Sequence, residues 1–440
     1  MNNYFKTINE YLFVLLKKDE ILKTSIWGEN SQFIRLNNSK IRQTGIIDDM
    51  SYSISLIFNN RQVSCSTTLN GNFEHDKNHL SNILNSLRDD IMKVPEDPYI
   101  VYPTLGTNSN EKNKGKLLDF DKSVNSLLPV MQGVDLTGIW ASGSIYDGAA
   151  NSLGQQHWFE TETFSLDYSL ITKEKKMVKD CFAGTHWNQD NYEQYISSSK
   201  KKLLIMNKES VKINPGEYRT YIAPAGVADM VDMFSWGGIS ESSLQQKDSA
   251  FLKMRQENLQ LSPCFTLTED FTNGMVPRFN SNGEIAPESL PLIVKGSLKN
   301  TLVSSRTEKE YGVSSNFASG DESLRSPIIQ TGELKENEIL SKLDKGVYLS
   351  NLHYLNWSDR LGGRITGMTR YACFYVENGE IVAPIENMRF DDTIYNVFGN
   401  NLESVTEENQ LVPNVGTYDG RDLGGTHCPG ILLNSFSLTL

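Results

Sequence analysis

Apolar positions along this chain repeat at two periods, and the period changes several times. In "MNNYFKTINEYLFVLLKKDE", Tyr4, Ile8, Leu12, Leu15 and Leu16 fall at helical spacing. The apolar run "YLFVLL" is short and no small-residue cleavage site follows, so the segment predicts an amphipathic helix and not a signal peptide. "SYSISLIF" (51–58) alternates at period two and ends in a polar turn, after which "VSCSTTL" (63–69) predicts the return strand of a hairpin. Helical spacing resumes at Leu80, Ile83, Leu84, Leu87 and Ile91, and the three prolines of "KVPEDPYIVYP" close that helix. Residues 104–117, polar and glycine-containing, predict a mobile loop.

"GIWASGSIYDGAANSLG" and "HWFETETFSLDYSLITK" are rich in aromatic and β-forming residues and predict a meander. "NYEQYISSSKKKLLIM" predicts a helix ending near Asn207. A strand to about Ile222 follows, then a helix opened by Pro224, with Val227, Met230, Val231 and Phe234 on one face. From 259 onward short strands and turns dominate, and Asn378-Gly379 is a hairpin turn. The last segment, "CPGILLNSFSLTL", predicts one further strand. No periodic repeat or long linker interrupts the pattern. The fold class expected is α+β in two domains: an α+β domain over 1–208 and a mainly antiparallel β domain over 209–440.

Composition narrows the function classes. The 440 residues carry a net charge of −12. That argues against non-specific nucleic-acid binding, which relies on a basic surface. No apolar run approaches the roughly 18–20 residues that span a bilayer. Five scattered cysteines without a CxxC pair suit free thiols in a reducing compartment, and a cytoplasmic location is expected.

Several short patterns invite chemistry. His75 and His79, four apart in "NFEHDKNHLSNIL", nearly reproduce the H-E-x-x-H spacing of zinc sites. Asp76 stands where glutamate is usual, however, and His79 continues the line of Ile83 and Leu87. The stretch therefore reads as a helix start whose acidic first turn complements the dipole. His427 and Cys428 offer a metal-donor pair or a nucleophile. Neighbours on a strand point to opposite faces, and a thiolate would need a histidine, with His157, His186 and His353 as the candidates. "RLGGRITGMTR" concentrates Arg360, Arg364 and Arg370 among glycines, either to grip a peptide carboxylate or as a solvated hairpin loop. Trp236 with Gly237 and Gly238 could wall a cleft or pack in the core. Asp391 and Asp392 read as caps of a following helix.

The C-terminal half carries a resemblance. "RITGMTRYACFYVENGEIVAPIENMRFDDTIYNVFGNNLE" (364–403) resembles the late strand region of the TldD/PmbA (TldE) proteins, where a hairpin containing E-N-G-E-I precedes a short helix. "FNSNGEIA" (279–286), "LVSSRTEKEYG" (302–312) and "THCPGILLNSFSLTL" are similar to further family segments. The resemblance implies a two-domain fold and a place in bacterial or archaeal peptide processing, with an older description as modulators of DNA gyrase. It implies a pair of related chains whose cleft admits extended peptide by strand addition. The TldD-like chain holds zinc through H-E-x-x-x-H and a C-terminal cysteine; the TldE-like chain lacks the motif.

Here the corresponding helix reads "APAGVADMVDMFSWGG" (223–238), with Asp229 and Asp232 and no histidine or glutamate. The expectation is a TldE-like subunit with no metal or cofactor of its own. Its zinc-bearing TldD-like partner would perform proteolysis, while Arg364, Arg370, Trp236, Gly237 and Gly238 face an extended peptide. A homodimer is the alternative assembly. The alternative functions are a self-sufficient enzyme using Cys428, and a peptide-binding module without chemistry. Neither nucleic acid nor membrane is expected as a partner.

Overall fold

A computed structural model describes residues 1–104, 106–416 and 420–440. In the first part of the chain, strands β1 (Ile21–Asn37), β2 (Lys40–Phe58), β3 (Arg61–Thr68), β4 (Ser109–Asn113), β5 (Asp135–Asn151), β6 (Gln156–Ile171) and β7 (Met177–Gly184) form one sheet. Its order is β3-β2-β1-β5-β6-β4, with β7 also pairing β6. Helices α1 (Asn2–Val14), α2 (Phe73–Ile91), α3 (Phe120–Leu127) and α4 (Gln189–Met206) accompany it. Phe5, Ile8 and Leu12 of α1 and Leu80, Leu84 and Leu87 of α2 are buried in one cluster with Ile26, Tyr52 and Ile54 of the sheet. The 3.6-residue stripe of each helix thus covers the inward face of alternating strands.

The second part begins with β8 (Gly216–Ile222), α5 (Pro224–Ser235), α6 (Glu241–Gln245) and α7 (Leu252–Gln256). Strands β9 (Leu267–Asp270), β10 (Ser289–Val294) and β11 (Ser297–Leu298) follow, then α8 (Ser305–Tyr311), β12 (Pro327–Ile329) and α9 (Ile339–Leu343). The chain continues through β13 (Gly346–Asp359), β14 (Arg364–Glu377), β15 (Glu380–Pro384), β16 (Arg389–Thr393) and β17 (Leu402–Val405). It ends with β18 (Gln410–Pro413), β19 (Gly425–Cys428) and β20 (Ile431–Leu438). One sheet runs β11-β10-β9-β12-β19-β18. The other closes on itself: β13 pairs β8, then β20, β16 and β14, and β14 returns to β13. The ring has no free edge along those five strands. The pairing is mostly antiparallel, with parallel exceptions at β4–β6, β8–β13 and β12–β19.

Three predicted elements differ. The polar stretch 104–117, expected as a loop, contains β4, which adds to β6 through its backbone despite its polar side chains; Leu105 of that stretch lies outside the described residues. The terminal segment is two strands in two sheets. Pro429 has no N–H for a ladder, and the Gly430 amide donates to Thr406 Oγ1 at 2.9 Å. Asp391 and Asp392 stand in β16, ahead of the turn they were expected to cap. The α2 start conforms to expectation: Asn72 caps it, accepting from the His75 amide at 3.1 Å.

Candidate functional site

The helix that the sequence singles out, α5, packs on β13. At Gly226 it lies close to both β8 and β13: a Cβ there would stand 2.7 Å from Ile222 Cγ2 and 3.4 Å from Leu352 Cγ. Val227, Met230, Val231 and Phe234 are buried in the main core, as their spacing predicts. Asp229 is on another face. Its Oδ2 accepts from the Leu352 amide at 3.3 Å, and burial pushes its pKa up to about 7 against the opposing pull of that amide and of Lys179.

Cys428 of β19 is fully buried beside this helix, and its thiol donates to the Pro224 carbonyl at 3.1 Å. Burial, with the Asp229 charge in second place, holds its pKa far above the ordinary thiol value. No histidine partners the sulfur: His157 bonds Ser109, His186 bonds Thr185, and His353 bonds Arg370. A buried, protonated thiol without a base is a packing group rather than a nucleophile. His427 points elsewhere, half-buried, with its Nε2 unpartnered and its pKa lowered by burial.

Next to the N-terminal half of α5, strands β13 and β14 are bulged. Their register shifts between Leu349 and Asn351 and again between His353 and Asn356. Tyr371 and Tyr354 lie in these irregularities with φ of 67° and 58°. A bulky aromatic in the left-handed region costs about 1–3 kcal/mol, and such outliers cluster at functional sites. A bulge re-aims side chains that a regular strand would alternate. Here His353 accepts from Arg370 Nη1 at 2.7 Å, and the Arg370 guanidinium lies 5.4 Å from the Tyr371 ring centre.

Tyr371 also lines a cavity of about 420 Å³ with Arg35, Arg42, Asp167, Tyr168 and Lys179. Lys179 Nζ is 3.7 Å from Asp167, and its charge acts on both Asp229 and His353. This cationic mouth is built by strands of the first sheet, and Tyr371 is the residue of the second half that lines it. Lys179, Asp167 and Tyr371 escaped the sequence reading because no local pattern marks them; each matters through strands far apart in the chain.

The predicted binding residues do not form one group. Arg370 does not line the mouth but packs on Tyr371, which does. Arg364 lies six residues along β14, about 20 Å away in an extended strand, and pairs with Asp391 at 3.0 Å. Gly237, with φ of 81°, turns the chain at the end of α5, and a Cβ there would press within 3.1 Å of Arg360. Arg360 itself is held by Asp248 at 2.8 Å. Trp236 is 52% exposed, and its carbonyl accepts from Trp357 Nε1 at 2.7 Å. Gly238 is buried behind it. Trp236, Gly237, Arg360 and Arg364 therefore surround the β13–β14 hairpin end, separate from Arg370.

Asp392 accepts from Thr393, Asn396 and Ser437, an anchoring role. His75 and His79 are likewise spent locally. His79 bonds Thr67 at 2.8 Å, and the buried Asp76 receives Tyr4, Gly71, His75 and Asn70.

Two further cavities border β5. One, about 50 Å³, shares Ile139 and Asp167 with the mouth cavity and reaches Arg421; the next, about 510 Å³, shares Asn414 and Leu423 with it and holds Trp27, Asp147 and Arg325. Arg421 crosses the sheet between them, donating to Ser31 Oγ, Gly143 O and Thr163 O at 3.2, 3.2 and 2.9 Å.

The donors near α5 can be tested against zinc. Asp229 and Cys428 are the available types. Burial pushes both groups toward their neutral forms, and Lys179 acts on Asp229 as a cation. A catalytic zinc site takes three protein ligands, and these two residues do not supply them, so they do not fit zinc. Among the described residues no group of three or more His, Cys, Asp or Glu side chains stands together as ligands.

Comparisons with known proteins agree with this architecture. Three solved structures superpose over nearly the whole chain. A TldE from Thermococcus kodakarensis matches with TM-score 0.78 and 14% identity, covering 100% of this chain and 99% of that one. A Bacteroides thetaiotaomicron protein named as a proposed modulator of DNA gyrase matches with TM-score 0.79 and 15% identity, covering 99% and 98%. A Thermotoga maritima protein similarly named gives 0.77 and 14%, covering 99% and 100%. No curated protein matches the sequence significantly. Residues 215–440 match the sequence family described as the PmbA/TldA metallopeptidase C-terminal domain. With that match over half its length and the two-domain α+β architecture around it, this chain belongs to the PmbA/TldD family.

Proposed function

We propose that this chain is a TldE-like subunit that shapes a peptide cleft, while a TldD-like partner supplies zinc and the general base. The observation that carries the reading is α5. It occupies the place after the first strand of the second half, where the family's zinc helix is expected, and presents Asp229 and Asp232 instead of H-E-x-x-x-H. The cationic mouth beside it, with Lys179, Arg35 and Arg42, suits the carboxylate end or acidic side chains of an extended peptide. Hydrolysis would take place on the partner, in the cytoplasm, with this chain holding substrate.

The test is purification of the chain alone and co-expressed with a TldD-like chain, followed by metal analysis and an assay with an unfolded peptide. The expected result is no stoichiometric zinc and no hydrolysis from the isolated chain, and both from the pair. Zinc bound one-to-one by the isolated chain would sink the proposal. Peptides that bind the pair but stay intact would instead favour a binding module.

A further inference from the structure

Strand β2 uses only part of one of its sides. On the inner side β1 pairs with it over residues 40–57, and β5 in turn covers β1 as far as Leu36. On the outer side β3 pairs with residues 51–58 and goes no further. Among the described residues no strand pairs with the outer side of residues 40–48, so about 30 Å of β2 is an open sheet edge.

The backbone along this edge points outward at fixed positions. The Met50 carbonyl accepts from the Leu69 amide at 2.9 Å, on the side where β3 ends. Backbone groups alternate sides along a strand, so the N–H and C=O of Asp48, Ile46 and Thr44 face the same way as those of Met50. A row of such groups is a template for another strand.

The side chains say which strand fits. Lys40 and Arg42 stand at one end and Asp48 and Asp49 at the other, with Ile41, Ile46 and Ile47 between them. Ile46 is 68% exposed, and neither Lys40 nor Asp48 forms an ion pair among the described residues. A parallel copy of this edge would set lysine against lysine and aspartate against aspartate. An antiparallel copy centred on Thr44 does the reverse: Lys40 meets Asp48 of the second copy, Ile41 meets its Ile47, and Thr44 meets its Thr44. The two-fold repeats the ionic and the apolar contact, so each occurs twice. Edges that stay single are blunted by charges that repel a copy; here the charge is divided so that the two ends attract.

We propose that this edge joins two copies of the chain through an isologous, antiparallel β2–β2 pair, which merges their seven-stranded sheets across a two-fold axis. Pairing consumes the open edge of each copy, so the assembly closes at two. The proposal goes beyond the peptide-cleft reading and does not depend on it.

Sedimentation velocity and light scattering on the full chain should show a monomer–dimer equilibrium. Lys40→Glu places like charges at both ends of the pair and should weaken the dimer at least tenfold, and Asp48→Lys should do the same. The double variant Lys40→Glu/Asp48→Lys restores opposite charges and should return the affinity to near the wild-type value, which a general loss of stability would not do. Thr44→Pro removes an outward N–H and provides an independent variant should either charge reversal disturb folding. Hydrogen exchange of the Ile46 and Asp48 amides should slow as chain concentration rises.

A chain that stays monomeric at every concentration overturns the proposal, as does a dimer indifferent to both reversals or a double variant as weak as the singles. Protection of this edge only on addition of a TldD-like chain or an extended peptide also overturns it, and gives the edge to that strand instead. Hydrolysis by the two-chain complex is measured separately and bears on the cleft reading alone.

Discussion

The Nε2 atom of His353 lies 2.7 Å from Nη1 of Arg370. Arginine has no acceptor, so Nε2 must be the accepting nitrogen and the ring must be neutral, with its proton on Nδ1. Burial, then Arg370 and then Lys179, lower the His353 pKa. A histidine whose folded pKa lies below the unfolded value of about 6.5 binds fewer protons when folded, so it withdraws stability as pH falls through that value. Arg370→Met should raise the His353 pKa, read from its imidazole NMR shifts, and should shrink the loss of stability on acidification. An unchanged titration would mean that Arg370 does not hold the tautomer.

Asp229 titrates in the opposite sense. Its folded pKa of about 7 lies above the unfolded value of about 3.9, so the folded state retains the proton between those values. Stability is therefore lost as pH rises through that window. Asp229→Asn keeps an acceptor for the Leu352 amide and removes the charge. It should match the wild type near pH 4 and exceed it by about 1–2 kcal/mol at pH 8, the full shift being discounted because the carboxyl is partly solvated. Urea melts at the two pH values check this.

The thiols should separate by depth. Cys264 is exposed, Cys65 and Cys181 are intermediate, and Cys373 and Cys428 are buried. Burial pushes Cys373 up to about 11 and Cys428 further. A chromogenic disulfide reagent should titrate Cys264 first and reach Cys373 and Cys428 only on unfolding. Cys428→Ala should leave any peptide hydrolysis by the two-chain complex intact. Loss of that activity with retained folding would restore Cys428 as a chemical group.

Arg421 ties the chain near β19 to the first sheet. Its backbone amide donates to the buried Glu29 at 3.2 Å, and burial lowers its own pKa to about 10. Arg421→Met leaves the Gly143 and Thr163 acceptors without their donor and Glu29 without a neighbouring positive charge. A cost of about 3 kcal/mol is expected, the scale for removing one partner of a buried charged network. Chemical denaturation measures it, and a change under 1 kcal/mol would show that solvent replaces the arginine.

What the sequence made legible was local. The stripe of α5, its opening at Pro224, the helix start at His75 and Asp76 and the Asn378-Gly379 turn all depend on neighbours within a few residues, and each is present. The same helix disclosed its missing histidines. The full length of β1, the closing of the ring through β8 and β20, and the addition of polar β4 depend on partners far along the chain. The split of the predicted binding set has the same origin. Arg364 and Arg370 look like one cluster in sequence, but an extended strand separates them, and Asp391 and His353 claim one each.

The cavities strung along β5 impose a dimension. Ile139 borders the mouth and Asp147 the cavity of about 510 Å³, eight residues apart, or about 27 Å of strand. Arg421 bonds Gly143, midway between them. That separation equals the length of about eight extended residues, and the bonded Arg421 side chain leaves a space of only about 50 Å³ between the two cavities. Under the proposed peptide-cleft reading, a shorter fragment would reach one of the two cavities and only a longer chain would span both.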